Sequence, residues 1–206
     1  MSPGSDQLSF SMATPGRAER EATGASHDGE HRDYGRIRRV AEGKPVSGSK
    51  TIMARTMLPS DANPYGNVHG GEVMKLIDAC AGAAATRHAR SRVVTAFVDE
   101  LSFLAPVYVG DLVTAKASVN HVGRSSMEVG VRVEAENLLT GKVVHVSSAH
   151  LVFVGIDEAG KPVALPPLLA ETDEEKRRMR AAEARRKRRL ARKRVSDERE
   201  EPKQRE

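Results

Sequence analysis

The chain lacks the residues from which disulfide frameworks and aromatic-rich cores are built. Its 206 residues include one Cys, no Trp, three Tyr and four Phe. One cysteine excludes an internal disulfide and fits a reducing compartment. No stretch is apolar for long enough to cross a membrane, and the N-terminus lacks the charged-then-apolar pattern of a signal peptide. We therefore predict a cytoplasmic protein without membrane insertion.

Metal-binding patterns are also scarce. A lone Cys cannot supply the Cys pair of a structural zinc site. His27 and His31 lie among acidic residues, but the surrounding tract is polar and has no apolar period, so we interpret it as a disordered segment. We predict that the protein needs no metal and no other cofactor.

Composition divides the chain into three parts. Residues 1–48 are rich in Ser, Gly, Arg and acidic residues and are predicted to be a disordered extension. Residues 49–167 contain most of the core-forming residues and are predicted to be one domain, long enough to bury roughly two-thirds of its unfolded surface. Residues 168–206 form a charged, partly helical tail.

The tail carries the positive charge of the chain. Thr172 and Glu175 have the spacing of a capping box, which predicts a helix start. Residues 176–194 then hold twelve Lys or Arg against one Glu, a net charge of +11 in a chain whose total is +5. The segment has neither an apolar membrane-binding face nor aromatic residues for base stacking. We predict a solvated helix without a specific nucleic-acid partner.

Alternation of apolar and polar residues predicts an antiparallel sheet. The clearest run is 127–136, where Val129, Val131 and Val133 alternate with polar or charged residues, so one face should contact a core and the other water. Further strands are predicted over 51–58, 93–104, 112–121 and 143–154. Together with one long helix, these strands predict an α+β fold.

The helix is predicted to follow the loop D-A-N-P-Y-G-N-V-H-G-G. Apolar residues recur there at three- and four-residue spacing, namely Val73, Leu76, Ile77, Cys80, Ala81 and Ala84. Small residues on the remaining faces predict burial on most sides. Asp78 lies about 130° from the apolar stripe, and a carboxylate in such surroundings is costly unless something uses or satisfies it.

This loop and helix contain groups suited to activating a carbonyl compound. The first-turn amides after Gly70 and Gly71 lack partners inside the helix and suit a developing oxyanion, worth on the order of 3 kcal/mol. Asp78 is a candidate general base or nucleophile, and the Asn67 amide is a candidate for orienting water. A plainer interpretation remains open, in which Asp78 is a solvated surface residue and the glycine pair forms a tight turn.

The motif P-x-D-A-N-P-Y-G-N-V-H-G-G-E-V-M-K-L-I-D-A-C-A-G, followed by T-R-H-A, closely resembles acyl-CoA thioesterases of the hotdog fold. These include the brain-type cytosolic hydrolases and their bacterial relatives, and the resemblance spans residues 53–167. It implies a single hotdog domain, in which an antiparallel sheet of five or six strands wraps a central helix. It also implies that Asn67 and Asp78 are a catalytic pair contributed by different subunits of a homodimer, within a trimer of dimers.

The resemblance also implies the surroundings of this pair. The Gly71 backbone amide would receive the oxyanion, with Gly70 and His69 beside the substrate. In relatives, a loop similar to the one that contains Arg124, Ser125 and Ser126 lies near the nucleotide of CoA. The planar donor fork of Arg matches phosphate oxygens, so these three residues are predicted to contact the CoA phosphates. An ordinary polar hairpin loop is the alternative interpretation.

The predicted function is hydrolysis of fatty acyl-CoA to free fatty acid and CoA. The alternative is a non-catalytic acyl-CoA-binding regulator, although no helix-turn-helix pattern supports DNA contact. A third possibility is hotdog dehydratase chemistry, which usually relies on a catalytic His in a different loop context. His69 is present, but the resemblance implies that the His of this H-G-G pattern is structural. The sequence leaves acyl chain length open, as well as the choice of base or nucleophile for Asp78.

We expect deletion after Ala170 to leave hydrolysis largely intact.

Overall fold

A computed structural model describes residues 42–200, with side chains described up to residue 192. Most of the extension predicted for residues 1–48 lies outside this range. The helices and strands of the described chain are β1 (Lys44–Pro45), β2 (Thr51–Thr56), α1 (Gly70–Ala89), β3 (Arg92–Phe103), β4 (Leu112–Val122), β5 (Ser126–Asn137), β6 (Lys142–Ile156), β7 (Leu168–Leu169) and α2 (Asp173–Glu200). No helix of this part of the chain has the length and apolar character needed to cross a membrane.

Five strands form one antiparallel sheet in the order β2-β4-β5-β6-β3. β1 and β7 make a separate parallel pair of two residues each. The strand ranges agree with the sequence predictions to within a few residues, because strict alternation specifies both the strand and its buried face. The predicted α+β hotdog architecture is confirmed.

Helix α1 packs against the inner face of the sheet. His69 caps its start through the imidazole, and Arg90 ends it in the left-handed conformation at φ 53°. Its buried side chains meet the inward-facing Val and Ala residues of β4, β5 and β6 in one core. In a single chain, however, the opposite face of α1 is open, with Met74, Asp78 and Ala79 exposed. Burial of α1 therefore stops at the face that carries Asp78.

Helix α2 covers part of the outer face of the sheet. The predicted capping box is present, since the Glu175 amide donates to Thr172 Oγ1 at 3.2 Å and the Thr172 amide donates to the Glu175 carboxylate at 3.2 Å. Ala182 is fully buried, and Glu128 on the outward face of β5 is only 2% exposed beneath the helix. The prediction that α2 is solvated and that this face of β5 lies in water is therefore wrong here. Small residues and Arg–carboxylate pairs make the contact between α2 and the sheet. Such a contact gives no apolar periodicity from which it could be predicted in the sequence.

Candidate active site

The loop that leads into α1 is anchored at both ends by Asp61. Its carboxylate accepts a hydrogen bond from the Leu58 amide at 2.7 Å and pairs with the Arg55 guanidinium. Its carbonyl accepts from the His69 amide at 2.8 Å. The Leu58 amide, and next the guanidinium, hold the pKa of the Asp61 carboxyl below its usual value. Arg55 also reaches Glu72 at 3.3 Å, so one guanidinium ties the loop to the first turn of the helix.

Inside the loop, a tight turn brings Asn63 next to Asn67. The Asn63 amide donates to the Asn67 carbonyl at 2.7 Å, and Asn63 Oδ1 accepts from the amides of Tyr65 at 2.9 Å and Asn67 at 3.3 Å. Gly66 makes this turn possible with φ 87°. Both asparagines line a cleft of about 380 Å³, together with Gly70 and Phe103.

The two glycines at the helix start have different surroundings. The Gly71 amide donates to His69 Nδ1 at 3.1 Å, so the amide predicted as the oxyanion donor is occupied by the helix cap. Gly70 lines the cleft, and a Cβ there would lie 3.3 Å from the Phe103 ring. His69 is therefore the N-cap of α1, and the Gly70 backbone faces the space that a substrate would fill.

Asp78 lies two turns further along α1, on its exposed face. Its Oδ1 accepts a hydrogen bond from Thr95 Oγ1 at 2.8 Å. Thr95 belongs to β3 and is not among the site residues predicted from the sequence, because the packing of β3 against α1 is not visible in any local pattern. The hydroxyl holds the carboxylate at the border between the helix and the edge strand.

The predicted pair, Asn67 and Asp78, does not meet within one chain. Asp78 does not line the asparagine cleft and lies about 12 Å along α1 from Gly70. The cleft adjoins Phe103 at the end of β3, whereas Asp78 is held by Thr95, eight residues earlier on the same strand. The two halves of the predicted site therefore lie toward opposite ends of β3.

The loop predicted to contact CoA phosphates lies at the Asp78 end of the sheet. Ser126 is opposite Val154 on β6, which in turn pairs with Val94, the residue before Thr95. Arg124 is exposed, while the carbonyls of Arg124 and Ser125 accept from the amides of Leu165 at 2.9 Å and Gly155 at 3.0 Å. The backbone of the loop is thus fixed, and the Arg124 side chain faces solvent.

No cluster of three potential His, Cys, Asp or Glu metal ligands occurs among residues 42–192. The arrangement is instead a sheet wrapped around one helix that carries a carboxylate on its open face. This architecture defines a hotdog protein. Residues 65–142 match the Thioesterase superfamily.

Known proteins agree with this class. The uncharacterized acyl-CoA thioester hydrolase YkhA of Bacillus subtilis is 40% identical over 127 residues, which cover 62% of this chain and 74% of the relative. The crystal structure of a hexameric acyl-CoA thioesterase is 42% identical with a TM-score of 0.71, covering 73% of this chain and 97% of that chain. The chain belongs to the thioesterase superfamily, among the acyl-CoA thioester hydrolases, and the family prediction is confirmed.

A third relative has been studied with ligands and substitutions. The acyl-CoA hydrolase of Staphylococcus aureus was solved with butyryl coenzyme A, coenzyme A and coenzyme A disulfide. It is 36% identical with a TM-score of 0.70, covering 75% of this chain and 94% of that chain. Further structures of that enzyme have alanine in place of one Asn, one Asp or one Thr.

Proposed function

We propose that the protein hydrolyses acyl-CoA thioesters at two equivalent sites, each formed between two copies of the chain. The observation that carries this proposal is the position of Asp78, which lies on the open face of α1 and is bound by Thr95 next to an unpaired sheet edge. A carboxylate held at such a border can act on a substrate that a second copy presents. The family supplies the reaction class.

The edge strand β3 is suited to pair with a second copy. It is the last strand of the sheet, and its exposed apolar side chains include Val94, Phe97, Val98 and Phe103. An exposed apolar edge is a template for further strand pairing. In a two-fold dimer the same edge is used by both copies. An antiparallel pairing centred near Asp99 would place Thr95 of one copy opposite Phe103 of the other.

This pairing would complete the site. Asp78 is hydrogen-bonded to Thr95, and Phe103 lines the asparagine cleft. The pairing would therefore bring the carboxylate of one copy next to the loop of the other. The thioester carbonyl would lie against the helix start, where Gly70 lines the cleft and the positive end of the dipole favours an oxyanion. Asp78 would then take a proton from a water that attacks the carbonyl carbon, or attack that carbon itself to form an anhydride that water later hydrolyses. In either route the C–S bond breaks, CoA leaves as a thiolate that takes up a proton, and the fatty acid is released. The asparagine amide would orient the water or the substrate.

The spacing of substitutions in the S. aureus enzyme favours Asn63 over Asn67 as the catalytic asparagine. In that enzyme the replaced Asp follows the replaced Asn by 15 residues, and the replaced Thr follows the Asp by 17. In this chain Asp78 follows Asn63 by 15 residues, and Thr95 follows Asp78 by 17. We therefore assign the catalytic role to Asn63 and a loop-shaping role to Asn67, whose main chain braces Asn63.

Replacing Asn63 by Ala should lower kcat by about 10²-fold, because one positioned amide in the transition state is lost. Asn67→Ala keeps the main-chain bonds to Asn63 and should retain activity within about tenfold of the wild-type chain. Steady-state kinetics with butyryl-CoA would compare the two variants. If Asn67→Ala lowered kcat more than Asn63→Ala, the catalytic role would belong to Asn67, as the resemblance of the sequence implies.

The loop at Arg124 is proposed to bind the CoA phosphates, with Ser125 and Ser126 beside it. Arg124→Ala should raise KM for acyl-CoA by about tenfold, because a charge-assisted phosphate contact is lost, and should leave KM for a short pantetheine thioester unchanged. The comparison of the two substrates in one variant controls for misfolding. Equal increases in KM for both substrates would show that Arg124 does not bind the CoA phosphates.

The assembly beyond the dimer is inferred from relatives. Relatives named hexameric include the thioesterase described above and a broad-specificity acyl-coenzyme A thioesterase. We propose that this chain likewise forms a trimer of dimers. Light scattering on the purified protein would give its mass. The cytoplasmic location stays a prediction.

A further inference from the structure

Two arginines one turn apart hold α2 on the outer face of the sheet. The Arg185 guanidinium donates to both carboxylate oxygens of Glu128 on β5, at 2.6 to 3.3 Å. Arg189 pairs with Asp99 on β3, and the two side chains are only 19% and 11% exposed. These ion pairs are shielded from water, so their geometry is constrained more tightly than that of surface pairs. The tail helix is thereby attached to the edge strand.

Arg189 contacts β3 where the strand is irregular. Register shifts interrupt the pairing of β3 with β6 between Thr95 and Phe97, and again between Val98 and Glu100, leaving Asp99 as the extra residue of the second bulge. Arg189 binds Asp99, and its Cζ lies 5.9 Å from the centroid of the Phe97 ring, within cation–π distance. One guanidinium therefore contacts a residue at each bulge.

Bulges bend a strand and redirect its side chains. Thr95, which donates to Asp78, immediately precedes the first bulge. The midpoint of the proposed dimer edge lies near Asp99. The contacts of Arg189 thus bear on the orientation of the Thr95 hydroxyl and on the curvature of the edge that a second copy would pair with.

We propose that Arg189 is a positioning residue, which acts through Asp99 and Phe97 to set the bend of β3, and thereby the Thr95–Asp78 hydrogen bond and the pairing edge. The catalytic part of this proposal rests on the proposed function. The basic tail is then part of the active-site scaffold, although it does not touch the substrate.

The test uses Arg189→Met in the full chain, with Arg180→Met as the matched control, because Arg180 is exposed and lies about 180° around the same helix from Arg189. We expect Arg189→Met to lower kcat for butyryl-CoA by about tenfold with KM little changed, since a small displacement of a catalytic group has effects of this size or larger. The dimer should also dissociate at a higher protein concentration in sedimentation experiments. Arg180→Met should match the wild-type chain in both measurements.

A second variant separates positioning from a general loss of folded protein. This variant is assayed at a protein concentration at which all the chains are dimeric. In a Thr95→Val background the hydroxyl is already gone, so Arg189→Met should lower kcat no further, and the two changes should be non-additive. Activities are to be normalised to the folded fraction measured by circular dichroism. Wild-type kcat and dimer stability in Arg189→Met, full additivity with Thr95→Val, or equal losses in Arg180→Met would each overturn the proposal.

The two proposals fail in distinguishable ways. Full activity in Asp78→Ala would remove the proposed catalytic site, while the effect of Arg189→Met on dimer dissociation would still decide whether α2 shapes the edge strand. Conversely, an inactive Asp78→Ala together with an unaffected Arg189→Met would leave the catalytic site standing and remove the role of Arg189.

Discussion

Asp78→Ala should lower kcat for acyl-CoA hydrolysis by about 10³-fold, with far less effect on KM. The carboxylate is the candidate base or nucleophile, and removing such a group affects the transition state much more than substrate binding. Thiol release from butyryl-CoA and palmitoyl-CoA by purified protein measures the effect. Retained binding of acyl-CoA together with zero turnover in the unmodified chain would instead favour the non-catalytic acyl-CoA binder.

Complementation tests whether the site is shared between copies. Asp78→Ala and Asn63→Ala homodimers should each be nearly inactive. When the two are unfolded together and refolded, half the dimers are mixed, and each mixed dimer has one site with both residues intact. Activity should return to about one quarter of the wild-type level. If refolded mixtures stayed as inactive as their components, the proposal of a site across the dimer interface would have to be given up.

Arg185→Met should lower the free energy of unfolding by about 3–5 kcal/mol. The Glu128 carboxylate would stay buried beneath α2 after losing its bidentate partner, with only Arg189 left near it at 3.9 Å, and breaking a buried ion pair has a cost of this order. This is a large share of the stability of a typical domain. Urea unfolding at one fixed protein concentration would measure the loss, because dimerisation makes the stability depend on concentration.

Two further variants control this experiment. Arg178→Met removes an exposed ion pair with Glu174 on the same helix and should cost at most about 1 kcal/mol. Arg185→Met combined with Glu128→Met replaces the buried pair by apolar side chains and should recover most of the loss. A stability loss in Arg185→Met no greater than that in Arg178→Met would show that Glu128 is reached by water.

These contacts change the expectation for the tail. From the sequence, deletion after Ala170 is expected to leave hydrolysis largely intact, because an apolar stripe is the usual sign that a helix packs, and α2 has none. The deletion removes both Arg185 and Arg189, and with them the attachment of α2 to β5 and β3. We now expect it to lower both stability and kcat.

Local patterns determined much of this protein. Alternation at residues 127–136 and the three- to four-residue spacing around Ile77 predicted β5 and α1, and so the α+β class. The same pattern singled out Asp78 as a carboxylate off the buried stripe of α1. These features are readable in sequence because the period of an element decides which side chains share a face.

Tertiary structure decided the rest. The contact of Thr95 with Asp78, and the ion pairs of Arg185 and Arg189, join residues that lie between 17 and 90 positions apart. Such contacts depend on how whole elements pack, and a single hydroxyl or guanidinium leaves no periodic signal at either partner. For the same reason, only the folded chain shows that the asparagine cleft and Asp78 lie toward opposite ends of one edge strand.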